Sequence, residues 1–313
     1  MIVTNRNINN IPRDITSVTI SHNLSIINVE KIFALKSITY LYIHNNPNIC
    51  RIPRLPNLVF LDCSYCVNLL EIELSPNVKT LECKSCDKLL SIPKFNKLTS
   101  INCNSCSNLQ HIANITTLLI LECSKCIKLN TIPILPNLCS LECNGTLIRK
   151  IPQLNKLRYL TCTDCIYLDT IPILPNITVI NCSNCPRISY FPKLENLKIL
   201  DCLLCSNLDR IENMPELATL NCNQSTILIE LPNLRYLNGK NYVFRLNLNI
   251  CGLLKKDENS DNDHCSICLE VDDNIFVTKC GHKYHIVCLE KWLEKNNTCP
   301  YCRVILTTHS YTT

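Results

Sequence analysis

The stretch LECSKCIKLNTIPILPNLCS, residues 121–140, decides the fold, because its pattern recurs along most of the 313-residue chain. In nearly every copy a Cys follows the opening aliphatic residue by two positions, and a second Cys or an Asn follows it by five. One copy cannot bury its own apolar face, so the pattern predicts a stack of repeating units. The opening residues are spaced by 20 positions, with a single step of 19: Leu41, Leu61, Leu81, Ile101, Leu121, Leu141, Leu160, Ile180, Leu200 and Leu220.

The residues that open each copy, such as Leu121-Glu122-Cys123, alternate inward and outward positions as a short strand does. Stacked copies would place these strands in parallel, about 4.8 Å apart. The second Cys or the Asn would then lie inside the turn and supply polar atoms to backbone groups left unpaired there. The Pro-rich segment at 132–137 is too short for an α-helix, so we expect extended or 3-10 arcs on the convex side.

This pattern resembles the leucine-rich repeat, with Cys in place of the third Leu. Its Ile-Pro-x-Leu-Pro-Asn spacing is also similar to the short repeats of bacterial secreted ubiquitin ligases, although the cysteine-based catalytic domain of those ligases is not found in this chain. The resemblance covers about residues 15–240. It implies an α/β-type repeat solenoid of short parallel strands with extended or 3-10 convex segments.

Two irregularities interrupt the repeat. The first step is 23 residues long, so residues 1–37 are expected to form an N-terminal cap with an irregular first repeat, and residues 38–245 the regular solenoid. The copy that opens at Leu141 is one residue short and carries Thr146 where other copies have the second Cys. We expect a local distortion at that copy.

The 25 Cys residues require an explanation. The opening residues, Met1-Ile2-Val3-Thr4, show no basic segment followed by an apolar run, and no apolar run approaches the roughly 20 residues of a membrane span. We therefore expect a reducing compartment, the cytoplasm or the nucleus, with Cys serving as metal ligands or small buried side chains. A net charge of +5 with 18% charged residues gives no reason to expect nucleic-acid or membrane binding.

Seven Cys-x-x-Cys segments, from Cys63/Cys66 to Cys202/Cys205, allow two interpretations. They could form a chain of metal or redox sites, or a ladder of small apolar side chains in the core. The repeat register points both members inward, which favours the core ladder. Zinc sites would also need Cys or His from neighbouring repeats in tetrahedral order.

Outward side chains of the strands should line the concave face of the stack. The position after each opening aliphatic residue is acidic in five of ten copies and basic in none, although the whole protein carries net positive charge. We predict a strip of negative potential that favours a basic protein partner. Solvated polar residues without a ligand are the alternative. The candidate target-binding residues are Asp62, Glu82, Glu122, Glu142 and Asp201.

The apolar repeat stops after Cys251, and residues 246–262 are expected to form a polar linker. A two-residue gap lets both Cys of a pair reach one ion from a tight turn, and eight ligands make two tetrahedral zinc sites. The segment is too small to bury a sufficient core, so zinc must supply folding energy, on the order of 10–16 kcal/mol per structural site. The ligands follow the spacing C-x2-C, x11, C-x-H-x2-H-x2-C, x10, C-x2-C: Cys265, Cys268, Cys280, His282, His285, Cys288, Cys299 and Cys302.

This spacing resembles the RING finger, in the variant with His at the fourth and fifth ligand positions, over about residues 263–305, with a tail at 306–313. The resemblance implies interleaved sites. One zinc would be held by Cys265, Cys268, His285 and Cys288, and the other by Cys280, His282, Cys299 and Cys302.

The same resemblance assigns a role to four further residues. Ile267, Trp292 and Pro300 would form a shallow apolar groove for a ubiquitin-conjugating enzyme. Arg303 would be the activating basic residue that bridges this enzyme and its ubiquitin, a role that suits a permanently charged planar guanidinium. The alternative is that Ile267 and Trp292 pack the core of the module itself and that Arg303 is a surface residue.

The resemblance thus implies a RING-type E3 ubiquitin ligase, which recruits a ubiquitin-loaded conjugating enzyme through the RING and a protein target through the leucine-rich repeats. Catalysis would rest on positioning, with two structural zinc ions and no covalent intermediate on this chain. The alternatives are a non-enzymatic interaction scaffold with a structural RING, and a redox or metal-buffer protein that uses the repeated Cys. No basic patch with interleaved aromatic residues points to a nucleic-acid-binding protein.

Overall fold

The strands that open the repeats pair into one long sheet of 14 strands. The computed structural model describes residues 1–20, 24–223, 226–229, 231–238, 240–241, 254–256, 264–270, 275–278, 280–293, 296 and 298–304. All neighbours in this sheet are parallel except the last two. In spatial order, which is also chain order, the strands are Ile2–Val3, Ser17–Ile20, Tyr40–Ile43, Phe60–Asp62, Thr80–Glu82, Ser100–Asn102, Ile120–Glu122, Ser140–Glu142, Tyr159–Thr161, Val179–Asn181, Ile199–Asp201, Thr219–Asn221, Tyr236–Leu237 and Lys240–Asn241.

Equivalent positions of successive repeats lie side by side. Leu121 pairs with Ile101 on one neighbouring strand and with Leu141 on the other. The opening aliphatic residues and the Cys two positions later are all buried, and they belong to one continuous apolar core. The predicted stack of units with a shared core is confirmed.

The convex side is extended, as predicted. Most arcs also contain one turn with a 3-10-type hydrogen bond, such as that from the N–H of Leu138 to the carbonyl of Leu135 at 3.0 Å. Within the described residues, a 3-10 helix of three residues occurs only at Ile8–Asn10. The convex segments of adjacent repeats form short parallel pairs: Arg51–Ile52 with Glu71–Ile72, Ser91–Ile92 with His111–Ile112, and Arg210–Glu212 with Ile227–Ile229.

Asn side chains close the turn that leads from the convex arc into the next strand. The Nδ2 of Asn77 donates a hydrogen bond of 2.9 Å to the carbonyl oxygen of Pro56, one repeat earlier. This bond satisfies a carbonyl that no strand ladder reaches. The same bond to the preceding repeat is donated by Asn57, Asn137, Asn176, Asn196 and Asn233.

The irregular first step is explained by helix α1, Ile26–Phe33, which connects the second and third strands of the sheet along the chain. Those strands pair in register, Val18 beside Leu41, so the additional residues leave the sheet unchanged. The helix buries Val29 and Ile32 against the core. Neither described helix is long and apolar enough to cross a membrane.

The short copy keeps its place in the sheet, because Leu141 pairs with Leu160 as in the other repeats. Thr146 is buried, and its hydroxyl donates to the carbonyl of Cys143 at 2.8 Å and lies 3.4 Å from Sγ of Cys165. On the convex side, strand pairing is reduced here to the single bridge between Lys150 and Thr170. The shorter length of this copy therefore alters the pairing on the convex side and leaves the main sheet unchanged.

The C-terminal module contains a three-stranded antiparallel sheet, Leu254–Lys256, Ile275–Thr278 and Lys283–His285, followed by helix α2, Ile286–Leu293. Its first strand lies inside the interval 246–262 that was expected to be a linker. That part of the interval is structured because its backbone pairs with Ile275–Thr278. The rest of the interval, which includes Cys251, and the tail at 306–313 lie outside the described residues.

Candidate metal centre

The Cys pairs of the solenoid face its core and act as hydrogen-bond donors. The thiol of Cys106 lies 3.0 Å from the carbonyl oxygen of Cys83, the first Cys of the preceding repeat. We call this series of bonds the thiol ladder. The corresponding bonds are made by Cys66, Cys86, Cys126, Cys165, Cys185 and Cys205, each to the preceding repeat.

The thiol ladder has the properties of a structural core. Burial raises the pKa of the ladder member Cys66 to about 12, so it remains a thiol at neutral pH. Burial likewise raises the pKa of Cys123, the first Cys of its repeat. Within the described residues, groups of three or more potential metal ligands occur only in the C-terminal module. The repeated Cys therefore satisfy backbone carbonyls inside the turn, as the repeat pattern predicted.

The concave face carries the predicted row of carboxylates, which we call the acidic column: Asp62, Glu82, Glu122, Glu142 and Asp201. Register places Asp62 beside Glu82 and Glu122 beside Glu142 on neighbouring strands. His44 lies 3.2 Å from Asp62, and Lys84 lies 3.3 Å from Glu82.

The other three carboxylates of the acidic column accept hydrogen bonds from neutral groups. Asn102 donates to Glu122, and the Ser124 hydroxyl donates to Glu142 at 2.9 Å. Asp201 accepts from Ser183 at 2.5 Å. Within the described residues no ion pair neutralises these three.

An apolar row, which the sequence reasoning missed, runs beside the acidic column. It comes from the residue that precedes the opening aliphatic position, which is apolar in six of ten copies and Thr or Ser in the other four. The exposed or half-buried apolar members are Tyr40, Phe60, Ile120, Tyr159, Val179 and Ile199. The ring centroid of Tyr42 lies 5.0 Å from that of Phe60, so aromatic side chains cluster at the N-terminal end. The alternation of the strands was the available signal, since these positions share the outward face.

All eight predicted ligands of the C-terminal module come together in two groups, and the pairing is interleaved as expected. Within each group the ligand atoms lie within 4.8 Å of one another. The first group consists of Cys265, Cys268, His285 and Cys288; the second consists of Cys280, His282, Cys299 and Cys302.

The spacings inside each group fit a tetrahedral zinc site. Zinc binds sulfur at about 2.3 Å and imidazole nitrogen at about 2.0–2.1 Å, so a nitrogen–sulfur edge of the tetrahedron is roughly 3.6 Å. Nδ1 of His285 lies 3.2 Å from Sγ of Cys268 and 4.0 Å from Sγ of Cys288. Nδ1 of His282 lies 3.5 Å from Sγ of Cys280 and 3.6 Å from Sγ of Cys299. The two groups can therefore hold two zinc ions with all four positions filled by protein.

Two Cys-x-x-Cys turns with the same backbone geometry present the paired sulfurs. In the first, the N–H of Leu269 donates to the carbonyl of Cys265 at 2.8 Å, and in the second the N–H of Arg303 donates to the carbonyl of Cys299 at 3.0 Å. Leu269 and Arg303 both adopt left-handed backbone conformations, with φ of 64° and 61°. The remaining ligands come from the strand Lys283–His285, the loop before it and helix α2.

Burial would raise the pKa of the Cys299 thiol, but the N–H of Cys302, the Tyr284 hydroxyl and the N–H of Tyr301 outweigh it and lower that pKa to about 6. The pKa of Cys265 is likewise lowered: burial opposes the shift, and N–H groups at Cys268, His285 and Ile267 outweigh it. A lowered pKa favours the thiolate, which is the form that binds zinc. Burial, and then the neighbouring Cys268 sulfur, raise the pKa of Cys288 to about 12, so zinc binding must displace the proton of that thiol.

Tyr284 supports the second group from behind, a role that the sequence reasoning missed. Its side chain is fully buried, and its hydroxyl lies 3.0 Å from Sγ of Cys299. Burial, and then the neighbouring Cys299 sulfur, raise the pKa of Tyr284, so the hydroxyl keeps its proton and can donate it to a thiolate. The signal was a polar aromatic residue between two ligands, His282 and His285, at an inward strand position.

Comparison with known proteins identifies this module. Residues 263–303 match the family described as Ring finger domain. The C-terminal module is a RING finger.

The RING also carries the similarity to characterised proteins. E3 ubiquitin-protein ligase AIRP1 of Arabidopsis thaliana is 42% identical over 52 residues, which are 16% of this chain and 34% of that protein. E3 ubiquitin-protein ligase ZNRF3 of Homo sapiens is 39% identical over 56 residues, 17% of this chain and 6% of that protein. The chain thus spans about a third or less of the length of these relatives.

The solenoid is similar to a leucine-rich repeat protein from Bacteroides ovatus whose crystal structure is known. The two are 18% identical, with a TM-score of 0.48, and the match covers 71% of this chain and 68% of that one. A leucine-rich cell surface protein from Faecalibacterium prausnitzii matches with 11% identity and a TM-score of 0.25, over 71% of this chain and 78% of that one.

The four further RING residues lie on the two Cys turns and on helix α2. Ile267, between the first two ligands, has 39% of its surface exposed, and Pro300, between the last two, is half-buried. The indole N–H of Trp292 donates to the carbonyl of Thr298 at 2.8 Å, which fixes the ring on the helix. The guanidinium carbon of Arg303 lies 4.8 Å from the centroid of the Trp292 ring.

Proposed function

We propose that this protein is a RING-type E3 ubiquitin ligase. The observation that carries the proposal is the pair of interleaved metal-ligand groups in a RING finger, with Arg303 directly after the last ligand and stacked on Trp292. Ile267, Trp292 and Pro300, which stand where RING ligases have the conjugating-enzyme groove, are all at least partly exposed to solvent. Ile267 is exposed rather than packed in the core. Leu269, Tyr301 and Val304 on the two Cys turns are exposed as well, and a group of exposed apolar side chains suits a docking surface.

The proposed catalysis is by positioning. The conjugating enzyme would dock on Ile267, Trp292 and Pro300, and Arg303 would donate hydrogen bonds to both the enzyme and its ubiquitin. A lysine amine of the target attacks the thioester directly, the conjugating enzyme leaves as its thiol, and an isopeptide bond forms. No side chain of this protein forms a covalent intermediate. Zinc, when bound, supplies folding energy to the RING.

The solenoid would recruit the target. The acidic column supports this proposal, because Glu122, Glu142 and Asp201 form no direct ion pair within the described residues, and only the nearby Lys84 partly offsets the charge of Glu122. Burial, and then the charges of Glu142 and Glu82, raise the pKa of Glu122, as expected where carboxylates repel one another. A target with a basic surface would relieve that repulsion.

The apolar row beside the acidic column adds the aromatic and aliphatic contacts that dominate binding energy in protein interfaces. Holding the target and the loaded conjugating enzyme on one chain raises the effective concentration of the target lysine.

We place the protein in a reducing compartment, cytoplasmic or nuclear, because the described Cys of the solenoid are free thiols.

The test is autoubiquitination by the purified full-length protein with a panel of charged conjugating enzymes. We expect transfer by the wild-type protein and its loss in Ile267→Ala and Arg303→Ala, with two zinc ions retained in each variant. Ile134→Ala serves as the matched control, because Ile134 is an exposed apolar residue on the convex side of the solenoid. A zinc-loaded protein that supports no transfer with any enzyme of the panel would refute the proposal and favour the non-enzymatic scaffold.

A further inference from the structure

Arg303 and Trp292 interact directly in the RING, although the sequence separates them by ten residues and the resemblance gives them different partners. The guanidinium carbon lies 4.8 Å from the indole centroid, within the roughly 6 Å at which a cation interacts favourably with an aromatic face. Arg303 is exposed and Trp292 is half-buried, so the contact lies at the surface.

The backbone on both sides of this contact is fixed. Arg303 occupies the left-handed position of the second Cys turn, with φ of 61°, and its N–H is bonded to the carbonyl of Cys299. The N–H of Cys299 in turn bonds to the carbonyl of Val304 at 2.8 Å. These hydrogen bonds fix the backbone position of Arg303. The conformational freedom that remains is rotation about the bonds of its aliphatic side chain.

The Trp292 ring is equally constrained. The indole N–H donates a hydrogen bond to the backbone carbonyl of Thr298. The backbone carbonyl of Trp292 accepts a 3.0 Å hydrogen bond from the Asn296 side chain. The ring thus offers a fixed surface next to a flexible cation, and immobilising such a side chain in advance lowers the entropy cost of using it.

We propose that Trp292 is a positioning residue for Arg303: its ring holds the guanidinium at the edge of the conjugating-enzyme groove before the enzyme arrives. This inference rests on the proposed function and deepens it, because it couples the docking residue to the activating residue. A guanidinium held over an aromatic ring can still donate hydrogen bonds to another partner, because the ring occupies only one side of it. Arg303 is therefore available to an incoming ubiquitin without a search through its rotamers.

Intrinsic fluorescence tests the contact in the free protein, because Trp292 is the only Trp in the chain. We expect Arg303→Ala to change the emission spectrum and acrylamide quenching of the zinc-loaded full-length protein. Lys291→Ala is the control, because Lys291 is an exposed cation on the same helix. Equal spectra for Arg303→Ala and Lys291→Ala would overturn the stacked arrangement, whatever the protein does to ubiquitin.

A double-mutant cycle on transfer tests the positioning role. Trp292→Leu should reduce the maximal rate of ubiquitin discharge at saturating conjugating enzyme by about two- to fivefold, the worth of an exposed cation–π contact, beyond any rise in KM. In the Arg303→Ala background the same substitution should change only KM, because no guanidinium remains to be positioned. Trp292→Phe, which keeps an aromatic face, should restore most of the maximal rate.

The outcomes separate the two proposals. Equal effects of Trp292→Leu on the maximal rate in both backgrounds, with zinc content unchanged, would overturn the positioning role and leave the ligase proposal standing. Absence of transfer by the wild-type protein with every conjugating enzyme would overturn both. If Trp292→Leu loses zinc, the cycle is repeated with Trp292→Phe and Trp292→Tyr, which keep an aromatic face. Retention of most of the maximal rate in both variants supports the role, and a fall in both as large as that of Arg303→Ala overturns it.

Discussion

The hydroxyl of Tyr284 lies 3.0 Å from the sulfur of Cys299, and both side chains are fully buried. Cys299 belongs to the second ligand group, so this hydroxyl is placed to donate a hydrogen bond to a thiolate that binds zinc. A hydrogen bond to a thiolate disperses its charge and orients the ligand, and loss of such a partner costs about 10–100-fold in metal affinity. The contact makes the zinc site depend on a residue that does not bind zinc.

Tyr284→Phe should therefore bind zinc about tenfold more weakly in the second site, because the ring still fills the core while the hydroxyl is lost. Competition with a chromophoric zinc chelator measures this affinity. Tyr301→Phe is the matched control: its ring contacts His282 at a centroid distance of 4.6 Å, but its side chain is largely exposed. Equal zinc affinity in the two variants would contradict the assigned role.

Removal of zinc should unfold the RING and leave the solenoid folded. Within the described residues both metal-ligand groups lie in the C-terminal module, while the solenoid has a continuous apolar core of its own. We expect two zinc ions per chain before chelation, and afterwards loss of amide protection in helix α2 but not in the strand Ile120–Glu122. Hydrogen exchange resolved by peptide measures both. Many more than two zinc ions per chain would instead favour the metal-buffer function.

The thiol ladder predicts how its members tolerate substitution. Cys106→Ala should lower the free energy of unfolding by about 1–3 kcal/mol, because the buried carbonyl of Cys83 loses its donor. Cys106→Ser should lower it less, because a hydroxyl can still donate to that carbonyl. Denaturant unfolding of each variant provides the comparison, with the exposed Cys50→Ala as control. A Ser variant no more stable than the Ala variant would mean that the hydrogen bond contributes nothing.

The sequence was sufficient for the parts of the fold that repeat. The spacing of Leu121 and its equivalents predicted parallel strands in register, because every copy meets the same neighbours on both sides. The ligand spacing predicted two metal-ligand groups, since a two-residue gap permits only a tight turn. In both cases a local pattern determines a local geometry.

The features that the sequence did not predict depend on contacts between distant residues. Helix α1 lies within the long first step, where no second copy exists for comparison. The strand Leu254–Lys256 looks like polar linker and is recruited by backbone pairing with Ile275–Thr278. The stacking of Arg303 on Trp292 requires a turn and a helix to meet. No periodicity along the chain encodes any of the three.

Alkaline pH should destabilise the solenoid through its buried thiols. Burial raises the pKa of Cys66 from 9.0 to about 12 in the folded protein, whereas the unfolded chain retains the ordinary value. The folded thiol therefore keeps its proton where the unfolded one releases it, so its contribution is fully present below pH 9 and is lost between pH 9 and 12. Cys66→Ser should show a shallower fall of melting temperature across that interval. Parallel curves for the variant and the wild-type protein would contradict the raised pKa.

Charge reversal in the acidic column should abolish recruitment of a basic target while leaving the RING active. The change is Asp62→Lys, Glu82→Lys, Glu122→Lys and Glu142→Lys together, which replaces attraction by repulsion along one face of the sheet. We expect target ubiquitination to fall at least tenfold, because like charges placed opposite each other at an interface cost several kcal/mol. Autoubiquitination should stay within twofold of the wild-type rate.

The matched control reverses four exposed carboxylates outside the acidic column, Asp14, Glu30, Glu71 and Glu195, and so changes the net charge by the same amount. The fall in target ubiquitination should also be reproduced in the wild-type protein by raising the salt concentration, because screening weakens exposed charges. If the control set reduced target ubiquitination as much as the column set, net charge rather than the concave face would govern recruitment. Unchanged target ubiquitination in both sets would assign the target to another surface of the solenoid.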